Sequence, residues 1–222
     1  MMKGLAPHTS HIFEAVTCME SIKPFVLVGG TALSLQLGTR QSEDLDFMRW
    51  KQGANDKLEV GWPKIRKELE GIGHIDSEEL LGFEHVIFVL EGVKLSFYAA
   101  PRKPIPTMQT IQYKNNLRLA DVMSIGVMKM EAMLRRAKFR DYYDIYSILR
   151  SGVNIHELIP LALEHSGYKL KKKNLLAMIT NGEFYIKDAS FAQLNPVYDV
   201  TATDIQDFIK CKLLEDSDIS NM

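Results

Sequence analysis

The chain has 222 residues, 46% hydrophobic and 25% charged, with a formal net charge of −1; that allows one full core and a second, small helical one, and excludes the overall basicity of a bulk nucleic-acid binder while leaving room for a local basic face. Only Cys18 and Cys211 occur, too far apart for a metal-ligand spacing or a disulfide framework. The beginning, MMKGLAPHTSHIFEAV, lacks the apolar core of a signal peptide, and no apolar run reaches bilayer-spanning length, so a cytoplasmic protein without membrane contact is expected.

In chain order, the patterns predict a helix over roughly His8 to Ser21, a strand at FVLV, a helix from Thr31 to Leu37, a strand at LDFM and a helix around Pro63 to Leu69. HVIFVLEGVKLSFYA then reads as two β-rich runs broken at Glu91-Gly92, the pattern of a hairpin. From Leu119 onward helical periodicity takes over, with Asn154 and Thr203 as N-caps and Ser166-Gly167 as a stop. The expected fold is α+β: a mixed sheet with flanking helices over residues 1–115, then a helical bundle over 116–222. No repeat and no low-complexity linker separates the halves, so they are expected to pack together.

The chemistry concentrates in VLVGGTALSLQLGTRQSEDLDFM, Val26 to Met48. An apolar run ends in Gly29-Gly30 and the helix-forming TALSLQL follows, which puts the glycines in a strand-to-helix turn. Backbone amides point outward there, no Cβ obstructs approach, and the positive end of a helix dipole is close, so such a turn can hold a phosphate. A glycine pair alone is more often just a turn. In EDLDF, the period of two along a strand places Asp44 and Asp46 on one face and sends Leu45 and Phe47 into the core. Neighbouring carboxylates repel, and a fold keeps them together readily when a cation lies between them. Hard oxygen ligands beside a phosphate-holding turn describe a metal–nucleotide site, with Mg2+ the natural ion. The plainer alternative is two aspartates on an exposed edge strand.

Gly-Gly, a short helix, then Arg40-x-Ser42-x-Asp44-Leu45-Asp46 and an aromatic residue resembles the first motif of the AbiEii/AbiGii-type toxins, a branch of the polymerase-β-like nucleotidyltransferase superfamily. KMEAMLRRAKFRDYYDIYSIL resembles the family's later motif: Lys129 on a helix, Arg136 seven residues on, then Arg140-Asp141-x-x-Asp144 leading another helix. The resemblance spans about Phe25 to Leu149. It implies a nucleotidyltransferase-type sheet with Mg2+ on Asp44 and Asp46. It also implies an NTP cradled at Gly29-Gly30 with Thr31, Arg40 and Ser42 nearby, and Lys129, Arg136 and Arg140 acting on phosphate charge in one cleft between the halves. The activity implied is transfer of an NMP from Mg-NTP to an acceptor, tRNA 3′ ends in some members, opposed by a cognate antitoxin. Two rivals are a small-molecule nucleotidyltransferase of the antibiotic-modifying kind and a non-catalytic NTP-binding or protein-interaction module.

Read by periodicity, Lys129 and Arg136 fall on one side of a helix whose other faces carry Met128, Met130, Ala132 and Leu134, a mostly buried helix with one cationic stripe. Buried cations need partners. These are either the paired carboxylates and a triphosphate, or Asp141 and Asp144 within the helical half. An unbroken helix would continue the stripe to Arg140 and Asp144, whereas the resemblance implies a break near Ala137 to Phe139 and a new helix from Arg140 or Asp141. It also implies a third carboxylate on a neighbouring strand, where VKLSFY carries Ser96. A hydroxyl does not replace a carboxylate charge, so either Asp141 or Asp144 substitutes or the protein binds nucleotide without turning it over. Lys169 to Lys173 reads as a solvated helix start. The histidines are scattered without a zinc cluster. RRAKFRDYY fits a nucleic-acid surface and buried tyrosines at a helix junction equally well.

Overall fold

The β-rich stretches of the N-terminal half line up in one sheet. The computed structural model describes residues 3–51, 53, 55–133, 135–136, 138–185 and 189–215. It is a mixed α+β fold that divides into two units, Met1–Asp121 and Val122–Met222. The strands of the first unit are β1 (Val26–Val28), β2 (Leu45–Trp50), β3 (Ile75–Leu80), β4 (His85–Leu90), β5 (Val93–Ala100), β6 (Thr110–Lys114) and β7 (Leu117–Ala120), with helices α1 (Pro7–Thr17), α2 (Gly29–Leu37) and α3 (Trp62–Glu70). The sheet order is β3-β4-β5-β2-β1-β7-β6. β2 runs parallel to β5 and β1 parallel to β7, and the remaining neighbours are antiparallel.

Alternation along β2 and β5 sorts the two faces of this sheet. Leu45 and Phe47 are buried with Leu95 and Phe97, whereas Asp46 and Ser96 are half-buried on the other side. Phe47 and Phe97 stack with ring centroids 4.9 Å apart, and Phe25 and Phe88 meet Phe97 edge-on at 5.4 and 6.3 Å. Each such ring contributes about 1.5–3 kcal/mol on burial, and the cluster therefore holds β2 and β5 in the register that sets Asp46 opposite Ser96. The expected β4–β5 hairpin is present. Its turn places both Glu91 (φ 49) and Gly92 (φ 74) in the left-handed region, as a tight two-residue hairpin turn requires.

Three strands were not anticipated. β3, IDSEEL, is an acidic edge strand exposed or half-exposed along its length. β6 and β7 form a hairpin around Asn115, so Leu119, expected to open the helical half, is a buried strand residue and the first helix after it starts at Val122.

The second unit holds α4 (Val122–Met133), α5 (Phe139–Arg150), α6 (Ile155–His165), α7 (Lys172–Ile179), α8 (Ala189–Ala192) and α9 (Ala202–Glu215). α4 ends at Met133 and α5 begins at Phe139 after an extended Lys138, so Lys129 and Arg136 do not share one helix; Arg136 lies in the connection. Leu134 and Ala137 fall outside the described residues. The Asn154 cap is present, its side chain accepting from the His156 amide at 2.7 Å. α6 stops at Ser166 and left-handed Gly167. The cap of α9 is Thr201 and not Thr203. Thr201 Oγ1 accepts from the Asp204 amide while Asp204 Oδ2 accepts from the Thr201 amide, a reciprocal box that satisfies two terminal donors at once.

Tyr142 and Tyr143 are fully buried, so the aromatic part of RRAKFRDYY is core. Lys169 and Lys171 to Lys173 are exposed. Among the described residues no helix is long and apolar enough to cross a membrane.

Candidate functional site

The first cluster is built where β1 turns into α2. Val28 is extended, and Gly29 at φ +68 bends the chain directly into the helix. A Cβ on Gly29 would meet Asp46 Oδ2 at 2.9 Å, and one on Gly30 would meet Arg40 Nη2 at 2.7 Å and Ser42 Oγ at 3.0 Å. The two glycines thus bring bare backbone against a carboxylate on one side and a guanidinium on the other. The Thr31 hydroxyl, in the first turn of α2, lies 2.9 Å from Ser42 Oγ and also donates to the Asp44 carbonyl. Ser42 is clamped from behind, its amide donating to Gly4 and its carbonyl accepting from Ala6, both at 3.0 Å. Arg40 is buried, and its Nη1 donates to the Gln41 carbonyl at 2.7 Å.

Asp46 sits opposite Val28 on β1 and Ser96 on β5, and Asp44 immediately precedes β2, its carbonyl accepting from Thr31 Oγ1. The Asp46 carboxylate, a buried guanidinium and the first turn of α2 meet here. This donor set suits a Mg2+ ion that keeps part of its shell as water and phosphate oxygen, since that ion is commonly held by one or two carboxylates plus its substrate. No group of three or more acids, histidines or cysteines among the described residues is arranged to hold a metal by itself.

The second cluster belongs to the helical unit. Lys129 Nζ is 2.8 Å from Asp141 Oδ1 and 2.7 Å from Asp144 Oδ2, with all three side chains buried. Arg136, half-exposed, forks onto Asp141 through Nε at 2.8 Å and Nη2 at 3.1 Å. Two positive charges thus face two negative ones, which satisfies the requirement that buried ions be paired. Arg140 Nη2 donates to Ser190 Oγ at 3.2 Å. Below the cluster Tyr142 donates to the Ile179 carbonyl at 2.7 Å and stacks on Tyr185 at 4.2 Å. Burial pushes both phenol hydroxyls well above their ordinary range, so they stay neutral.

Seven of the residues singled out by sequence, Gly29, Gly30, Thr31, Arg40, Ser42, Asp46 and, through its backbone carbonyl, Asp44, come together in the first unit. Lys129, Arg136, Asp141 and Asp144 come together in the second. His85 was not singled out. It lies on β4 with Nε2 3.2 Å from Ser96 Oγ. Alternation in HVIFVL and KLSFY places His85 and Ser96 on exterior positions, but only the hairpin register shows that they meet.

The family described as "Nucleotidyl transferase AbiEii toxin, Type IV TA system" matches residues 13–218. The uncharacterized protein aq_aa25 of Aquifex aeolicus (strain VF5) is 25% identical over 225 residues, covering 96% of this chain and 98% of that protein. A nucleotidyltransferase candidate from H. pylori has a crystal structure similar in fold, with a TM-score of 0.56 at 19% identity over 94% of this chain and 96% of that one.

Proposed function

Because the chain belongs to the AbiEii nucleotidyl transferase toxin family, we propose that it transfers an NMP from Mg-NTP to an acceptor, a tRNA 3′ end being the acceptor class and a cognate antitoxin the opposing partner. The observation that carries this is the Gly29-Gly30 turn, whose missing side chains let the Asp46 carboxylate, the Arg40 guanidinium and the Ser42 hydroxyl approach bare backbone. A turn of that kind offers amides and a helix dipole to a phosphate, Arg40 adds a fixed cation, and Thr31 and Ser42 hold the loop that carries Asp44. Asp44 and Asp46 would hold Mg2+, which supplies charge neutralisation at the triphosphate.

Within the helical unit, Arg136 and Arg140 are the cations that the family resemblance assigns to phosphate. Lys129, Asp141 and Asp144 form the buried set that supports Arg136. The half-exposure of Arg136 beside the burial of Lys129 supports that division.

A second reading, nucleotide binding without turnover, is favoured by one observation: the residue beside Asp46 on β5 is Ser96, so the strand adds no carboxylate. Incubation with each labelled NTP against total RNA, cell protein and small acceptors separates the alternatives. Label entering RNA is expected, with loss on chelation and in Asp46→Asn. That variant should keep its thermal stability in metal-free buffer or gain some, because carboxylate repulsion is relieved. Label in small acceptors would move the substrate class. Tight Mg-NTP binding without incorporation would establish the binding module.

A further inference from the structure

We propose that Ser96 and His85 form the proton relay of this site, a role that rests on the nucleotidyl-transfer reading above. The attacking acceptor hydroxyl gives its proton to Ser96 Oγ as Ser96 passes its own to His85 Nε2.

Three observations place the relay. Ser96 is the in-register neighbour of Asp46 across the parallel β2–β5 pair, so the two side chains leave the same face of the sheet. His85 Nε2 is 3.2 Å from Ser96 Oγ, within hydrogen-bonding distance. The His85 ring is itself held edge-on by Tyr98, its direct partner on β5, with centroids 5.4 Å apart. The strand spacing explains why two residues are needed. Adjacent strands lie about 4.8 Å apart, so β4 stands roughly twice that distance from β2, and an imidazole on β4 reaches a hydroxyl at Asp46 only through a group on β5.

The chemistry requires such an acceptor. An alcohol attacking phosphorus must lose its proton, and Asp44 and Asp46, engaged with a cation, are poor bases. Histidine is the side chain whose ordinary charge change falls near neutrality, which suits general-base work. The charged and titratable groups on the same face are Asp46 opposite Ser96, Tyr98 opposite His85, Lys94 opposite Val89 and Glu79 opposite Ile87.

With the ring proton on Nδ1, Nε2 accepts. The acceptor oxygen bonds to the α-phosphorus, and the bond from that phosphorus to the bridging oxygen breaks. Pyrophosphate leaves, and the acceptor's proton is accounted for as imidazolium on His85, later released to water.

The test uses the full chain, labelled NTP and total RNA, with Mg-NTP binding measured in parallel. His85→Gln keeps a side chain able to hydrogen-bond Ser96 but unable to take a proton at working pH. It should bind Mg-NTP like the parent, lose rate by about 100-fold, and lose the fall in rate that the parent shows as pH drops below neutrality. His85→Gln/Ser96→Asp should recover part of the rate, with the acid limb displaced into the carboxylate range. An active parent whose His85→Gln variant keeps the full rate and the same acid limb overturns the relay alone. A parent that incorporates nothing overturns the transfer reading and the relay with it.

Discussion

Gly29 and Gly30 exclude a side chain for different reasons, and the difference separates stability from binding. Gly29 sits at φ +68, with Asp46 Oδ2 2.9 Å from its would-be Cβ. Gly29→Ala therefore combines left-handed strain with a displaced carboxylate, and should lower stability by about 1–2 kcal/mol in urea titration. Gly30 has no left-handed strain, and the atom in its way is the end of the Arg40 side chain at 2.7 Å. Gly30→Ala should cost less than about 1 kcal/mol yet weaken Mg-NTP binding clearly, because it moves the guanidinium and fills the approach to the turn. If Gly29→Ala were as stable as the parent, the tight apposition of the turn and Asp46 would not hold in solution.

Between elements, polar and charged contacts fasten the helical unit at two points. Lys129 on α4 neutralises Asp141 and Asp144 on α5, all of them buried. Lys129→Met leaves the buried Asp141 and Asp144 pair one cation short, and the expected loss is about 3–5 kcal/mol by chemical denaturation. Adding Asp141→Asn and Asp144→Asn should return most of it, and failure of that rescue would locate the damage in packing instead of charge.

The second tie joins α4 to α6, with His165 Nε2 3.0 Å from Glu131 Oε2. The His165 hydrogen bond is the main cause that holds the Glu131 carboxyl below its ordinary 4.5, opposed by burial and aided by the charges of His165 and Arg135. A depressed folded value means that the unfolded chain binds the proton more readily. The contribution is thus complete above 4.5 and fades as pH falls through the folded value. Glu131→Gln should cost about 0.5–1 kcal/mol near neutrality, and its melting curve should converge on the parent's in acid. A gap that stays constant with pH would show that the carboxylate charge is not what matters.

At the scale of the molecule, the aromatic core and the candidate metal site lie on opposite faces of one sheet. The Phe25, Phe47, Phe88 and Phe97 cluster needs no ion to form, so chelation should leave the melting temperature nearly unchanged. Mg2+ with NTP at roughly 100 times its Kd should add about 2.7 kcal/mol, and neither component alone should approach that. Large unfolding on chelation would mean that the ion is structural. The open sheet also leaves β3 and β6 as edges. Asp76, Glu78 and Glu79 make β3 an acidic edge, a recognised way of discouraging strand addition.

Legibility in the sequence followed the range of the interaction. The strand-to-helix turn at Gly29-Gly30, the alternation that sets Asp46 against Leu45 and Phe47, the Glu91-Gly92 hairpin and the Asn154 cap each depend on neighbours a few residues away, and the sequence by itself determined them. β3 escaped notice because an exposed acidic edge lacks alternation, and β6 and β7 because each is short. The placing of Ser96 beside Asp46, the reach of His85 to Ser96 and the folding of Arg136 back onto Asp141 were decided only by the tertiary structure. Register is chosen by where distant apolar side chains such as Phe47 and Phe97 pack, and the partner of a buried charge by which chain turn brings an opposite charge near. Neither leaves a periodic trace along the chain.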